Sequence, residues 1–338
     1  MTILGDVTKL QDVAGLLDAL PVADGQAAEA ARARQNSLTK PPGALGRLED
    51  LAVFMASWQR RGTPVIDIAQ AIVFAGNHGV CAQGINPFPQ DVTAQMVANF
   101  KAGGAAINQL CKVAGADLSV IALDLETPTA DFTHSAAMNE ADTLRAMQAG
   151  AAAVNRDANV VILGEMGIGN STVAAAMAMA AFGGEAQDWV GRGTGSDDEG
   201  VARKARVIAQ ALQHHGALSG LDILSAVGGR EQAAICGAVI EARHRSIPVL
   251  LDGFICTASV APLFSADPAY LSHCLVAHTS REPGHAKMLA AMEMDPILSL
   301  DMALGEGTGA ALALNILRGA LACHNGMATF AEAGVSGA

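Results

Sequence analysis

From Ala69 onward the chain repeats one texture: a short apolar run, a glycine-rich turn, then a helical pattern. The runs are AIVFAGN (71–77), LSVIALD (118–124), NVVILGE (159–165), IPVLLDG (247–253) and SHCLVAH (272–278). Continuous apolar runs separated by helices predict strands buried on both faces of a mostly parallel sheet. Ahead of them, LQDVAGLLDAL, DGQAAEAARARQNSL and ALGRLEDLAVFMASWQ carry helical spacing, broken by Pro41–Pro42–Gly43, with no strand among them. A glycine turn at 305–309 opens another apolar helix near the C-terminus. The expected fold is α/β, a Rossmann-like, mostly parallel sheet flanked by helices. Residues 66–309 are expected to form the large domain, and 1–65 with 310–338 a small helical one built from both chain ends.

Composition narrows the class of partner. With 33 acidic and 21 basic side chains in 338 residues the net charge is −12, which argues against nucleic acid, whose phosphates demand a basic face. Apolar residues make up 51% and charged ones 16%, enough for a large core and too little polarity for disorder. The 36 glycines without a period, and only 4% aromatics, imply an interior of small residues in which elements approach closely. The uncharged stretch 166–184 reads as a buried helix rather than a bilayer span, because it holds Asn170, Ser171, Thr172 and several glycines. Six scattered cysteines without CxxC spacing, and no secretion signal at the start, lead to the expectation of a cytoplasmic protein with reduced thiols.

In open parallel sheets ligands gather beyond the carboxyl ends of the strands, and the polar oddities of this sequence fall there. Gly164-Glu165-Met166-Gly167-Ile168-Gly169-Asn170-Ser171-Thr172 follows a strand and enters a helix; its glycines let backbone N–H groups approach an anion, and Asn170 or Ser171 is placed to cap. It lacks the Lys-Ser/Thr ending of a nucleotide-triphosphate loop. A second glycine cluster, with Gly191 and Gly193, precedes a helix bearing Arg203, Lys204 and Arg206, a local cationic group that an anionic substrate would need. For Arg203 and Arg206 a solvated helix face serves equally well. Gly305-Glu306-Gly307-Thr308-Gly309-Ala310 matches the dinucleotide pattern literally, without a preceding clean strand or a later ribose-binding acid. Glu306, between two glycines and facing apolar surroundings, has the makings of a general base, against the alternative of an acid that merely favours a helix N-terminus. His78 ends a strand, where substrate contact and a structural role are both open. No HExxH or GxSxG occurs, so neither a zinc centre nor a hydrolase triad is expected.

Taken in order, LTKPPGALGRLEDLA (38–52), GNHGV (76–80), GEMGIGNST (164–172), VGGREQAAICG (227–237), PVLLDGF (248–254), AHTSREPGHAKML (277–289) and LGEGTGAALAL (304–314) resemble the nicotinate-nucleotide–dimethylbenzimidazole phosphoribosyltransferase family across nearly the whole chain. The resemblance implies a homodimer that moves phosphoribose from nicotinate mononucleotide to 5,6-dimethylbenzimidazole. The product is α-ribazole 5′-phosphate for the cobalamin lower ligand, and no cofactor or metal is implied. It assigns Glu306 as general base, Glu165 and Gly167 to the nucleotide, Lys204 and Ser280 to its phosphate, and Phe88 and Gln90 to the base pocket. Asn170, Ser171, Gly191 and Gly193 complete the expected substrate-binding set. Asn77 stands where the family has an acid, so it must supply a hydrogen bond if that position matters. The competing expectations are a nicotinamide-dependent oxidoreductase, resting on the literal glycine pattern, and a non-enzymatic binder of azoles or their ribosides, for which Glu306 would have no task.

Overall fold

A computed structural model describes residues 2–193 and 195–336. Its centre is a five-stranded, wholly parallel sheet in the order β2-β1-β3-β4-β5, where β1 is Ala69–Ala75, β2 Ala116–Ala122, β3 Val160–Met166, β4 Val249–Leu251 and β5 Cys274–Val276. All five expected strands are present. A short pair, β6 (His278–Thr279) with β7 (Leu298–Ser299), was not foreseen; two-residue strands leave no readable period.

Strand periodicity sorts the core into two clusters. Ile72, Phe74, Val161, Leu163, Val249 and Leu251 face one layer, and Ala71, Val73, Val160, Ile162 and Leu250 face the other. The first layer is thick: helices Glu140–Ala153 and Arg230–His244 cross so closely that a Cβ on Gly150 or Gly237 would overlap the facing backbone, at Ala234 and Met147. The second layer holds helices Arg47–Trp58, Ala106–Ala114 and Thr308–Gly326.

Both chain ends meet in that second layer. The Arg34 guanidinium donates to the carbonyls of His324, Asn325 and Met327, Gln35 bonds His324, and Leu38 bridges Thr329. Residues 3–20 go elsewhere: Leu4, Leu10 and Val13 pack in the first cluster, and Gln148 donates to the carbonyls of Leu4 and Val7. Helix Gly25–Ser37 is the element that meets the C-terminal helix. No helix among the described residues is long and apolar enough to cross a membrane.

The strand order reverses between β1 and β3, which places a crevice at their carboxyl ends. In register, Phe74 stands opposite Glu165 and Ala75 opposite Met166.

Candidate active site

The cleft at this switch point is lined by Ile85 and Asn86 after β1, residues 165–171 after β3, Gly253–Ile255 after β4, and His278, Ser280 and Glu282 after β5. Gly193, Lys204 and Ala303–Glu306 close it. Segments far apart in sequence thus contribute to one wall because the parallel strands all end on the same side.

Glu306 owes its position to an unusual backbone. Gly305, Glu306 and Gly307 have φ of 81°, 63° and 84°, three consecutive left-handed residues, of which only the middle one carries a Cβ and so the strain. Gly307 ends the loop as the residue before helix Thr308–Gly326, and no side chain of the loop caps that helix. The cap comes from β4 instead: Asp252, fully buried, accepts from the amides of Gly307 at 3.0 Å and Ala310 at 2.9 Å, with Gly309 adding a third. His278 Nε2 lies 3.6 Å from the same carboxylate.

This arrangement gives the helix-end role to another acid. The duty of an acid at a helix N-terminus belongs to Asp252, so Glu306 has no donor to serve. It is 5% exposed, lines the cleft, and its Oε2 is buried without a partner. Desolvation, then the Asp252 charge, push its pKa up to about 7, which suits a group that must take a proton near neutrality.

Glu165 faces the same loop. Burial raises its pKa to about 8, helped by the charges of Asp252 and Glu231 and opposed by the Asn170 amide and the Glu306 N–H. Asn170 therefore does not cap its helix; it donates to Glu165, and Ser171 leaves the helix start to Gly169, without a side-chain cap. Two carboxyls with raised pKa values line this end of the cleft.

The other end is cationic. Lys204 is 3% exposed, with Nζ 3.3 Å from the Gly191 carbonyl and 3.4 Å from that of Arg192. Burial lowers its pKa and the Glu282 charge pulls it back up. Gly193 leaves room for Ser171 Oγ and Lys204 Nζ, which a Cβ there would approach to 2.7 and 3.1 Å. Arg203 pairs with Glu199 and Arg206 is exposed, so both lie on the solvated face.

Of the expected substrate-binding residues, the cleft gathers Glu165, Gly167, Asn170, Ser171, Gly193, Lys204 and Ser280. Gly191 stands one step behind the wall, as the carbonyl that accepts from Lys204. Phe88 and Gln90 are not brought to the wall: Phe88 is 47% exposed and Gln90 spends its amide on the His78 carbonyl, while Ile85 and Asn86 of the same loop do line the cleft. His78 is structural, fully buried with Nε2 2.7 Å from Glu231 Oε1 behind Gly167. Asn77 donates to the Leu125 carbonyl at 3.0 Å, a bond an aspartate in its charged form has no hydrogen to make. Asp252, Glu231 and Glu282 were missed as site-shaping acids.

A family model described as "Phosphoribosyltransferase" matches residues 20–335. The nicotinate-nucleotide–dimethylbenzimidazole phosphoribosyltransferase of Rhodobacter capsulatus is 60% identical over 325 residues, 96% of this chain and 97% of that protein. The chain belongs to this phosphoribosyltransferase family. The Mesorhizobium japonicum member is 55% identical over 319 residues, 94% of this chain and 95% of its own length. The crystal structure of CobT from Thermus thermophilus superimposes with a TM-score of 0.88 at 40% identity, over 93% of this chain and 100% of that one. Membership in the phosphoribosyltransferase family displaces the oxidoreductase and pure-binder readings.

Proposed function

We propose that this chain transfers the 5-phosphoribosyl group of nicotinate mononucleotide to 5,6-dimethylbenzimidazole, releasing nicotinate and α-ribazole 5′-phosphate. The reading rests on family membership; its mechanism rests on one observation, the buried Glu306 carboxylate whose Oε2 has no donor at the wall of the cleft.

One azole nitrogen attacks the anomeric carbon while the ribose–pyridinium bond breaks, its electron pair returning to the pyridine nitrogen. The leaving group departs neutral at its ring nitrogen and needs no acid. The attacking ring becomes cationic, its second N–H is acidified, and Glu306 takes that proton. A single displacement converts a β-nucleotide to an α-riboside. Burial raises the pKa of Glu165 to about 8; a cationic donor beside it favours ionisation, and the resulting charge steadies the developing oxocarbenium. Lys204, Ser171, Ser280 and the Gly193 region receive the 5′-phosphate, and Gly167 and Asn170 border the ribose.

A cytoplasmic homodimer is part of the proposal. Its support is the set of six free cysteines and the exposed apolar side chains Leu300 and Leu304, 55% and 58% exposed, the second lining the cleft, an area a second copy would cover. Light scattering after gel filtration reads the assembly. For the reaction, the protein is incubated with nicotinate mononucleotide and 5,6-dimethylbenzimidazole, and the product is identified by mass and anomeric configuration. Absence of an α-riboside overturns the reading.

A further inference from the structure

Glu282 is neither of the two carboxyls with raised pKa values, yet it is placed with unusual care. It is the residue before helix Pro283–Met292 and does not cap that helix with its side chain. The carboxylate instead reaches across the cleft, where Oε1 accepts from the Gly193 amide at 3.0 Å. Its Oε2 is buried without a donor and packs against Gly191, where any Cβ would overlap it. Its own amide is turned to Ser280 Oγ at 3.3 Å.

A carboxylate at the cationic end of a cleft repels a phosphate, so its presence calls for a compensating role. Two are visible. Gly193 has a positive φ of 52°, a glycine conformation that costs backbone freedom to fix; the Glu282 bond anchors it. Lys204 is buried and bonded only at 3.3 and 3.4 Å to two carbonyls, and Glu282 is the acid that favours its charged form. The other charges nearby are engaged or solvent-facing: Arg192 with Asp198, Arg203 with Glu199, and the exposed Arg206.

We infer that Glu282 is a positioning residue for the donor's phosphate, fixing the Gly193 backbone by accepting its N–H and holding the Lys204 ammonium in the arrangement that receives a phosphate monoester. The inference builds on the proposed phosphoribosyl transfer and adds the residue that sets preference for a phosphorylated donor. Glu282 keeps the receiving groups in place without itself binding the anion.

The test compares wild type, Glu282→Gln and Glu282→Asp with two donors, nicotinate mononucleotide and nicotinate riboside, and titrates inorganic phosphate by calorimetry. Glu282→Gln is expected to lower the ratio of kcat/KM for mononucleotide over riboside by about tenfold or more, through KM, and to weaken phosphate binding in parallel. Glu282→Asp, which keeps the charge, is expected to recover part of both. A ratio equal to that of wild type, or equal losses with both donors, overturns the inference, the second outcome marking a purely structural role. Should Glu282→Gln fail to fold, the Asp variant's ratio decides. Should wild type transfer nothing, the parent reading fails while the phosphate titration still decides this one.

Discussion

Gly164 of β3 and Glu306 lie backbone against backbone: a Cβ on Gly164 would come within 2.6 Å of the Glu306 carbonyl carbon and of the Gly307 amide nitrogen. The sheet therefore admits the left-handed loop only because the strand carries no side chain at that point. Gly164→Ala must push the loop away, and Glu306, the proposed general base, with it. The expected outcome is a soluble protein that has lost about 2 kcal/mol or more of stability and most of its turnover, read by thermal melting and by product formation. Wild-type activity in this variant would mean that the loop tolerates displacement.

Glu306→Gln keeps the shape of the side chain and removes the proton acceptor. Turnover is expected to fall by about 10²–10⁴-fold with the mononucleotide KM little changed, since the residue acts on the azole proton and not on donor binding. A loss confined to KM would place Glu306 in binding.

The raised carboxyl pKa values give a pH dependence with a definite sign. In the proposed mechanism Glu306 acts ionised, so kcat/KM is expected to rise with pH through about 7. Stability runs the other way. Glu165 and Glu306 move from an ordinary value of 4.5 to about 8 and about 7 in the fold. Between those limits the native state binds more protons than the unfolded chain, and stability falls as pH rises, levelling off above the folded values. Glu165→Gln removes the larger contribution, so its Tm is expected to drop less than that of wild type between pH 6 and pH 8.

How much of this was readable in the residues follows from physics rather than from luck. The five strands were legible because parallel strands buried on both faces are nearly uniform apolar runs, and the strand-end polar residues then pointed to one side of the sheet. Glu165 and Glu306 stood out beside glycines, and Lys204 through the family resemblance. What stayed hidden was pairing across the chain: Asp252 bonding amides more than fifty residues away, Glu231 facing His78, and Glu282 reaching Gly193, none of which has a sequence period. Asn170 and Ser171 looked like caps because Asn and Ser favour that role, but a buried carboxyl nearby claimed the Asn170 amide. Phe88 and Gln90 rested on the family resemblance alone; of their loop, Ile85 and Asn86 line the cleft of this chain.

Asp252→Asn separates the two tasks assigned to this strand-end acid. As a carboxylate it accepts from the amides of Gly307 and Ala310 with one oxygen each. Asparagine offers one acceptor and turns an NH₂ toward the second amide, leaving a buried donor unpaired at a cost of about 1–3 kcal/mol. Tm is therefore expected to fall. The lost negative charge also removes one of the two causes that raise the Glu306 pKa, so the acidic limb of the pH–rate profile is expected to move to lower pH. A purely architectural Asp252 would lower Tm and leave that limb in place, and an unmoved limb would show that burial alone sets the affinity of Glu306 for its proton.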